Sequence, residues 1–208
     1  MATLVLLRHG QSVYNLENRF TGSADIDLSA NGIAEAHQSA ELLKDYNIDV
    51  AFTSVLKRAV HTLEIILDSI GKSIPVYKSP ALNERCYGDL QGLNKTDTEI
   101  KYSVLQVLMW RRSYQIAPPN GESLQTTCDR VLQYYQSDIV PKLRDNKNVL
   151  VVAHGNSLRA LIMYLEQISE TAISDFEIET GVLRTYTFDE NFNITDINLS
   201  LNATADEL

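Results

Sequence analysis

Residues 3–10, with the sequence TLVLLRHG, decide the fold, because a short apolar run ends there in an arginine, a histidine and a glycine. A nearly continuous apolar run of this length is typical of a strand that is buried on both faces of a sheet. Residues 149–155, VLVVAHG, repeat this pattern further along the chain. Both runs therefore predict buried strands, and the glycine after each histidine allows the backbone to turn sharply.

Short apolar runs alternate with stretches of helical periodicity along the rest of the chain. Strands are predicted at 3–7, 50–53, 74–77, 149–153 and 183–188. Helices are predicted at 33–46 with Ser29 as the N-cap, and at 56–70, 97–110, 123–142 and 158–165. This alternation indicates an α/β fold of three layers, in which helices flank a mostly parallel central sheet.

The composition fits one globular domain over residues 1–208, since 44% of the side chains are hydrophobic. The two cysteines, Cys86 and Cys128, are too far apart in sequence to form a redox or zinc motif. The sequence contains neither a secretory signal pattern nor an apolar stretch that could span a membrane, so we expect a cytoplasmic protein. Residues 202–208 lack an apolar pattern, and we expect them to form a mobile tail.

The formal net charge of −9 argues against nucleic acid or an anionic membrane as a partner, since both require a basic surface. The charge does not exclude a small anionic ligand. Distant surface carboxylates are screened by salt, whereas a few converging arginines act at short range, where screening is weak.

Basic side chains follow three of the predicted strands. Arg8 and His9 follow the first, Arg58 comes shortly after the strand at 50–53, and His154 follows the strand at 149–153. Because the carboxyl ends of parallel strands share one edge of a sheet, we expect these four side chains to converge. Neutral imidazole offers a lone pair near pH 7, nearby arginines favour that neutral form, and guanidinium groups bind phosphate oxygens. The pattern predicts that His9 is a nucleophile that takes a phosphoryl group, and that His154 stabilises the charge in the transition state.

The other two histidines, His37 and His61, lie within predicted helices, and we assign them no functional role. No metal is predicted. The histidines lack metal-ligand spacing, and no cluster of carboxylates accompanies them.

The chain resembles the cofactor-dependent phosphoglycerate mutases of the histidine phosphatase superfamily. The resemblance extends over nearly the whole chain through the strings LRHGQS (7–12) with Asn15, RFTG (19–22), DLS (27–29), TSVLKRA (53–59), LNER (82–85), YG (87–88), LQGLNK (90–95), WRRSY (110–114), GESL (121–124) and AHGNSLRA (153–160). The Arg-His-Gly motif indicates only the superfamily, whereas the strings around 83–85, 92–95 and 110–114 are much more specific to the mutases.

The resemblance implies a role for each matching position. His9 would be the phosphohistidine, and Glu84 would donate and accept the proton. Around the transferred phosphoryl group it places Arg8, Asn15, Arg58 and His154. For the carboxylate and the second phosphate it implies Thr21, Gly22, Tyr87, Lys95, Arg111, Arg112, Gly155 and Asn156. Without the matching strings, Arg111 and Arg112 could equally be a solvated helix end and Lys95 an ordinary loop lysine.

The chain also departs from the pattern of these relatives. Gln11 replaces a common glutamate, Tyr14 and Ser23 replace common tryptophans, and Cys86 replaces a frequent histidine close to Glu84. Longer members carry an insertion at the entrance of the site, whereas here Pro118-Pro119 almost directly precedes GESL. The oligomeric state, homodimer or monomer, therefore stays open, as does the expected role of the tail in closing the site.

Three functions are compatible with these residues. The first is an isomerase that interconverts 3-phosphoglycerate and 2-phosphoglycerate, with His9 primed by 2,3-bisphosphoglycerate, in glycolysis and gluconeogenesis. The alternative is a histidine-type phosphatase acting on small phosphorylated metabolites, in which water accepts the phosphoryl group. The third is a catalytically inactive sensor of phosphorylated metabolites, which the presence of His9, Glu84 and His154 disfavours. The second basic cluster favours the isomerase, since a mutase must hold a doubly phosphorylated molecule in two orientations.

Overall fold

The computed structural model describes residues 1–201, and the predicted tail at 202–208 lies outside this range. Within the described residues, the strands of one sheet are β1 (Ala2–Arg8), β2 (Val50–Thr53), β3 (Val76–Lys78), β4 (Val149–Ala153), β5 (Leu183–Phe188) and β6 (Ile194–Ser200). They lie in the order β3-β2-β4-β1-β5-β6. The first four are mutually parallel, and β5 and β6 add an antiparallel edge. The predicted α/β class with a mostly parallel sheet is confirmed.

The helices are joined to these strands by short loops and 3₁₀ turns. In chain order they are α1 (Val13–Leu16), α2 (Ala30–Leu43), α3 (Lys57–Ser69), α4 (Lys95–Tyr102), α5 (Val104–Arg112), α6 (Leu124–Tyr134), α7 (Val140–Arg144) and α8 (Gly155–Leu165). Ser29 caps α2 as predicted, since its hydroxyl accepts a hydrogen bond from the Gly32 N–H at 3.1 Å.

Helices cover both faces of the sheet because the side chains of β1 alternate between two cores. Leu4 and Leu6 join one core with side chains of α6 and α8, whereas Val5 and Leu7 join the other with α2 and α3. Alternation of this kind, with apolar residues in both directions, is what a central strand between two helical layers requires. The sheet therefore forms the middle layer of three.

Two predicted helices are interrupted in the structure. The helix predicted at 97–110 is divided into α4 and α5 by Ser103, whose backbone is left-handed with φ at 74° and whose hydroxyl caps α5. The helix predicted at 123–142 continues from α6 through a π-helical turn at Tyr135–Ile139 into α7. Pro141 in the first turn of α7 has no N–H to donate to the preceding turn, which explains why the regular helix is interrupted before it.

Other differences lie at element ends and at the sheet edge. β3 begins at Val76 rather than at 74, and α8 begins at Gly155 rather than at 158. β6 was not predicted, because it is an edge strand whose residues are mostly exposed and mostly polar. Among the residues that the structure describes, we find no helix with the length and apolarity of a membrane span.

The turn that follows β1 is in close contact with the first turn of α2. A Cβ atom on Gly10 would lie 2.3 Å from the Gly32 carbonyl oxygen, and one on Gly32 would lie 2.0 Å from the carbonyl oxygen of Gln11. Only glycine at both positions permits this approach. The start of α2 is therefore packed directly against the turn that follows β1.

Candidate active site

A cleft of about 250 Å³ lies at the carboxyl edge of the parallel strands. Apart from His154, every residue predicted for the site lines this cleft, namely Arg8, His9, Asn15, Thr21, Gly22, Arg58, Glu84, Tyr87, Lys95, Arg111, Arg112, Gly155 and Asn156. The predicted convergence arises because β2, β4 and β1 are neighbours in the sheet and run in the same direction. The structure thus brings the sequence-predicted residues together, while their chemical roles remain predictions.

His9 is held as a neutral ring with one nitrogen available as an acceptor. Arg58 Nε donates to His9 Nε2 at 3.3 Å, which places the proton on Nδ1, and Nδ1 donates to the Gly10 carbonyl oxygen at 2.6 Å. Burial lowers the pKa of His9 well below its ordinary value, and the charges of Arg58 and Arg8 lower it further. The ring therefore presents an unprotonated Nε2 among cations, as a phosphoryl acceptor requires.

His154 lies against His9 and is fully buried. The ring centroids are 4.8 Å apart, and His154 Nε2 lies 2.7 Å from the hydroxyl oxygen of Ser54. Burial lowers the pKa of His154 well below its usual range, and Arg58 and His9 add to the effect. Sequence reasoning did not select Ser54, although it follows the second strand inside a matching string, as His9 and His154 follow theirs.

Arg58 is fixed by the loop that contains Gly22. Its Nη2 donates to the Gly22 carbonyl oxygen at 2.7 Å, and its Nη1 donates to the Ala24 carbonyl oxygen at 2.9 Å. Burial lowers the pKa of this guanidinium to about 10, so it remains charged at neutral pH. Gly22 itself has φ at 54°, a left-handed conformation that glycine adopts without strain.

Glu84 reaches the cleft from the loop after β3. Its Oε1 accepts hydrogen bonds from the Asn156 N–H at 3.1 Å and from the Arg85 N–H at 2.7 Å. Its Oε2 faces Gly155, since a Cβ atom there would lie 3.6 Å from this oxygen. One carboxylate oxygen is thus tethered to the backbone, and the other faces the first turn of α8 at the cleft.

Behind Glu84, the side chain of Arg130 binds the loop that carries it. Arg130 donates to both carboxylate oxygens of Glu122 at 2.9 Å, and to the carbonyl oxygens of Asn83 at 3.0 Å and Glu84 at 3.3 Å. Glu122 in turn accepts from the Cys86 N–H at 2.8 Å. Sequence reasoning did not assign Arg130 or Glu122 to the site. The position of Glu122 in the string GESL was the available signal.

A second basic cluster, formed by Lys95, Arg111 and Arg112, lines the cleft together with Tyr87. Burial lowers the pKa of Lys95, and the neighbouring Arg111 contributes to the same effect. Although burial opposes it, the charge of Arg85 lowers the pKa of Tyr87, and Arg85 Nη2 donates to the Tyr87 hydroxyl at 2.8 Å. Cations held this close together attract a ligand that carries several negative charges.

Two more predicted residues, Asn15 and Thr21, line the same cleft. Asn15 Oδ1 accepts from the Ser12 N–H at 3.1 Å and from the Ser12 hydroxyl at 2.8 Å. These two hydrogen bonds fix the orientation of the Asn15 side-chain amide. The hydroxyl of Thr21 is buried and has no hydrogen-bond partner among residues 1–201, and the same is true of Arg8 Nε. Unpaired donors in the lining of a basic cleft fit the oxygens of an anionic ligand.

The loop at 118–121 lies away from the cleft lining. The Pro119 carbonyl oxygen accepts from the Asp89 N–H at 3.0 Å, and Asn120 Nδ2 donates to Asp89 Oδ2 at 2.9 Å. A Cβ atom on Gly88 would lie 2.1 Å from the Pro119 carbonyl oxygen, so the two loops are in close contact. The shortened loop therefore packs on the loop after Glu84.

Comparisons with known proteins agree with this architecture. Residues 4–198 match the histidine phosphatase superfamily, branch 1. The chain is 52% identical over 198 residues to the 2,3-bisphosphoglycerate-dependent phosphoglycerate mutase of Cytophaga hutchinsonii, covering 95% of this chain and 93% of that protein. It is 54% identical over 182 residues to the enzyme of the same name from Bradyrhizobium diazoefficiens, covering 86% and 88%. Among solved structures, the alpha-ribazole phosphatase from Shigella flexneri aligns with a TM-score of 0.80 at 28% identity, covering 97% and 96%.

The fold, with two buried histidines in contact at the carboxyl edge of the parallel strands, is of the histidine phosphatase class. The chain belongs to this superfamily, in the branch that includes the 2,3-bisphosphoglycerate-dependent phosphoglycerate mutases.

Proposed function

We propose that this chain is an isomerase that interconverts 3-phosphoglycerate and 2-phosphoglycerate through a phosphohistidine at His9, in glycolysis and gluconeogenesis. The observation that carries the proposal is the presence of two separate cationic regions in one cleft: Arg8 and Arg58 beside His9, and the second basic cluster with Lys95. A ligand with a phosphate at one end and a carboxylate or second phosphate at the other would contact both.

In this mechanism the Nε2 lone pair of His9 attacks phosphorus while Nδ1 keeps its proton on the Gly10 carbonyl. The hydrogen bond from Nδ1 to the Gly10 carbonyl oxygen fixes the orientation of the ring before the ligand binds, so little reorganisation of His9 is needed at the moment of transfer. The Arg58 Nε–H that donates to Nε2 turns to a phosphoryl oxygen as the ligand binds, which releases the lone pair for attack. Arg8, Arg58 and Asn15 bind the non-bridging oxygens, and His154 donates to the charge that develops on them. Ser54 orients His154 through the hydrogen bond to Nε2.

Glu84 carries the proton between the substrate oxygens. As phosphorus is transferred to His9, the Glu84 carboxyl protonates the oxygen that leaves, and in the return step the carboxylate removes the proton from the attacking hydroxyl. Tethering of Oε1 by the two N–H groups leaves Oε2 for this exchange. The second basic cluster holds the far end of the ligand and allows it to turn, so that the other oxygen faces the phosphohistidine.

When bound, 2,3-bisphosphoglycerate would supply the phosphoryl group that primes the site, and His9 would accept it. The residues present fit such a group, because the cleft contains buried donors without partners among residues 1–201, Arg8 Nε and the Thr21 hydroxyl, as well as the two cationic regions. We expect the reaction to require no metal and to take place in the cytoplasm. For the oligomeric state, both a homodimer and a monomer stay open.

A phosphatase is the second candidate, and the likeness to the Shigella flexneri alpha-ribazole phosphatase favours it over unrelated activities. In that case water, rather than a substrate hydroxyl, would accept the phosphoryl group from His9. The second basic cluster disfavours a phosphatase, because hydrolysis of a monophosphate needs cations around one phosphoryl group only.

A coupled assay decides between the two. We expect turnover of 3-phosphoglycerate to 2-phosphoglycerate that is stimulated by 2,3-bisphosphoglycerate, persists in EDTA and disappears in His9→Ala. Release of inorganic phosphate that exceeds mutase turnover, with no stimulation by 2,3-bisphosphoglycerate, would establish the phosphatase. Full mutase activity of His9→Ala would refute both mechanisms.

A further inference from the structure

The wall of the cleft includes part of a segment, residues 173–178, to which sequence reasoning gave no role. Phe176, Glu177 and Ile178 line the cleft. The Glu177 carboxylate forms an ion pair with Nη2 of Arg112. The neighbouring Ile178 carbonyl oxygen accepts from Arg8 Nη1 at 2.7 Å. Two consecutive residues thus occupy donors of both cationic regions that the ligand needs.

The beginning of segment 173–178 is held by buried hydrogen bonds, whereas the Glu177 side chain is largely exposed. Arg159 is buried, and its Nη2 donates to the carbonyl oxygens of Ile173 and Ser174, the latter at 3.0 Å. Its Nη1 donates to Asn156 Oδ1 at 3.2 Å, which ties the segment to the first turn of α8. The Glu177 side chain is 67% exposed. The carboxylate can therefore leave Arg112 while the backbone behind it stays in place.

The surroundings of Glu177 are those of a ligand anion. The hydrogen bond and the charge of Arg112 lower the pKa of this carboxyl, and the charges of Arg111 and Arg159 contribute. A ligand carboxylate at Arg112 would meet the same cations, and both carboxylates cannot occupy the guanidinium without repulsion.

We propose that Glu177 is a specificity-determining residue that acts as an internal competitor for Arg112. It occupies this arginine in the empty site, and the second anionic group of the ligand must displace it. When the ligand releases the second basic cluster to turn or to leave, Glu177 returns, so Arg112 is not left unpaired. The ion pair therefore weakens binding through Arg112 and facilitates exchange. The inference rests on the proposed function, because it assigns the far end of a phosphoglycerate to this cluster.

Two variants and two ligands test the proposal by isothermal titration calorimetry. Glu177→Gln removes the competitor. Glu179→Gln is the matched control, since Glu179 is also exposed, carries the same charge and is not among the described residues that line the cleft. 3-Phosphoglycerate has a carboxylate for Arg112, and glycerol 3-phosphate has none. We expect Glu177→Gln to bind 3-phosphoglycerate roughly two- to fivefold more tightly, the range of an exposed ion pair. Its affinity for glycerol 3-phosphate should change much less, and Glu179→Gln should leave the ratio of the two affinities unaltered.

Equal tightening for both ligands would overturn the proposal, because Glu177 would then act only as a distant negative charge. An unchanged affinity for 3-phosphoglycerate would overturn it as well. The proposed function fails separately, if the unsubstituted enzyme shows no turnover that 2,3-bisphosphoglycerate stimulates. A Glu177→Gln variant that binds 3-phosphoglycerate no better than glycerol 3-phosphate would refute the role of Arg112 as a ligand for the second anion, and with it the competition.

Discussion

Replacing Arg58 with methionine should separate the two tasks that this residue performs. Arg58 donates its Nε to His9 Nε2 at 3.3 Å and its two terminal nitrogens to the carbonyl oxygens of Gly22 and Ala24. Methionine fills much of the same space but donates nothing and carries no charge. Arg58→Lys keeps the charge while losing the forked donor geometry, and it therefore serves as the matched control.

The expected loss follows from the contacts. Loss of one preorganised cationic donor at a phosphoryl group costs about 10²–10³-fold in rate, or roughly 3–4 kcal/mol of transition-state stabilisation. The two carbonyl bonds are charge-assisted, and their loss should lower the free energy of unfolding by about 3 kcal/mol in total. Rapid-quench measurement of His9 phosphorylation by 2,3-bisphosphoglycerate gives the rate, and urea denaturation shows whether the variant is still folded.

The pH dependence of His9 phosphorylation tests whether the charge of Arg58 lowers the pKa of His9. Because burial first, and then Arg58 and Arg8, lower the pKa of His9, the wild-type ring stays neutral well below pH 6.5. Without Arg58 the pKa should rise, so phosphorylation should fail at a higher pH as the solution is acidified. Arg58→Lys should retain the wild-type acid limb at a reduced rate. An acid limb that is identical in Arg58→Met and the wild type would refute the view that Arg58 keeps His9 neutral.

Three further substitutions have defined outcomes. Glu84→Gln keeps an acceptor for the Asn156 N–H but cannot exchange a proton, so kcat in the mutase assay should fall by about 10²–10⁴-fold. A loss below tenfold would contradict the role of Glu84 in proton transfer. Gly32→Ala places a Cβ 2.0 Å from a backbone oxygen. The clash should lower the free energy of unfolding by about 1–3 kcal/mol and Tm by roughly 2–10 °C in calorimetry. An unaltered Tm would show that the turn after β1 adapts. Arg130→Met should lower kcat by about tenfold with little change in KM, because it releases the loop that positions Glu84 without touching the ligand. A rise in KM alone would instead place Arg130 in substrate binding.

The strands that carry the site could be predicted from sequence because they are buried. β2, β4 and β5 have the predicted bounds, and His9 and His154 follow two apolar runs that no surface element would tolerate. β6 could not be predicted, since a mostly exposed edge strand needs no apolar pattern. Ser103 was missed because serine rarely adopts the left-handed backbone that divides α4 from α5.

The site residues that follow buried strands could be predicted from sequence, whereas those in exposed loops could not. Arginine beside histidine after a buried strand is a distinctive pattern, whereas Ser54 at the end of β2 resembles any loop serine. Glu177 reaches Arg112 across 65 residues of sequence from an exposed segment without periodicity. Such a contact depends on how two loops meet over a finished sheet, and no local pattern of residues encodes it.

The separation between the two active-site rings equals a dimension of the sheet itself. Neighbouring strands lie about 4.7–4.9 Å apart, and the ring centroids of His9 and His154, which extend two adjacent strands, are 4.8 Å apart. The main-chain hydrogen bond from the His9 N–H to the Ala153 carbonyl oxygen at 3.0 Å therefore places the two histidines side by side, and side-chain replacements elsewhere leave this pairing in place. Loops such as 118–121 and 173–178 can change length and charge without moving the rings. One sheet edge can therefore keep the same phosphoryl chemistry while the loops above it select whether water or a sugar-acid hydroxyl receives the group.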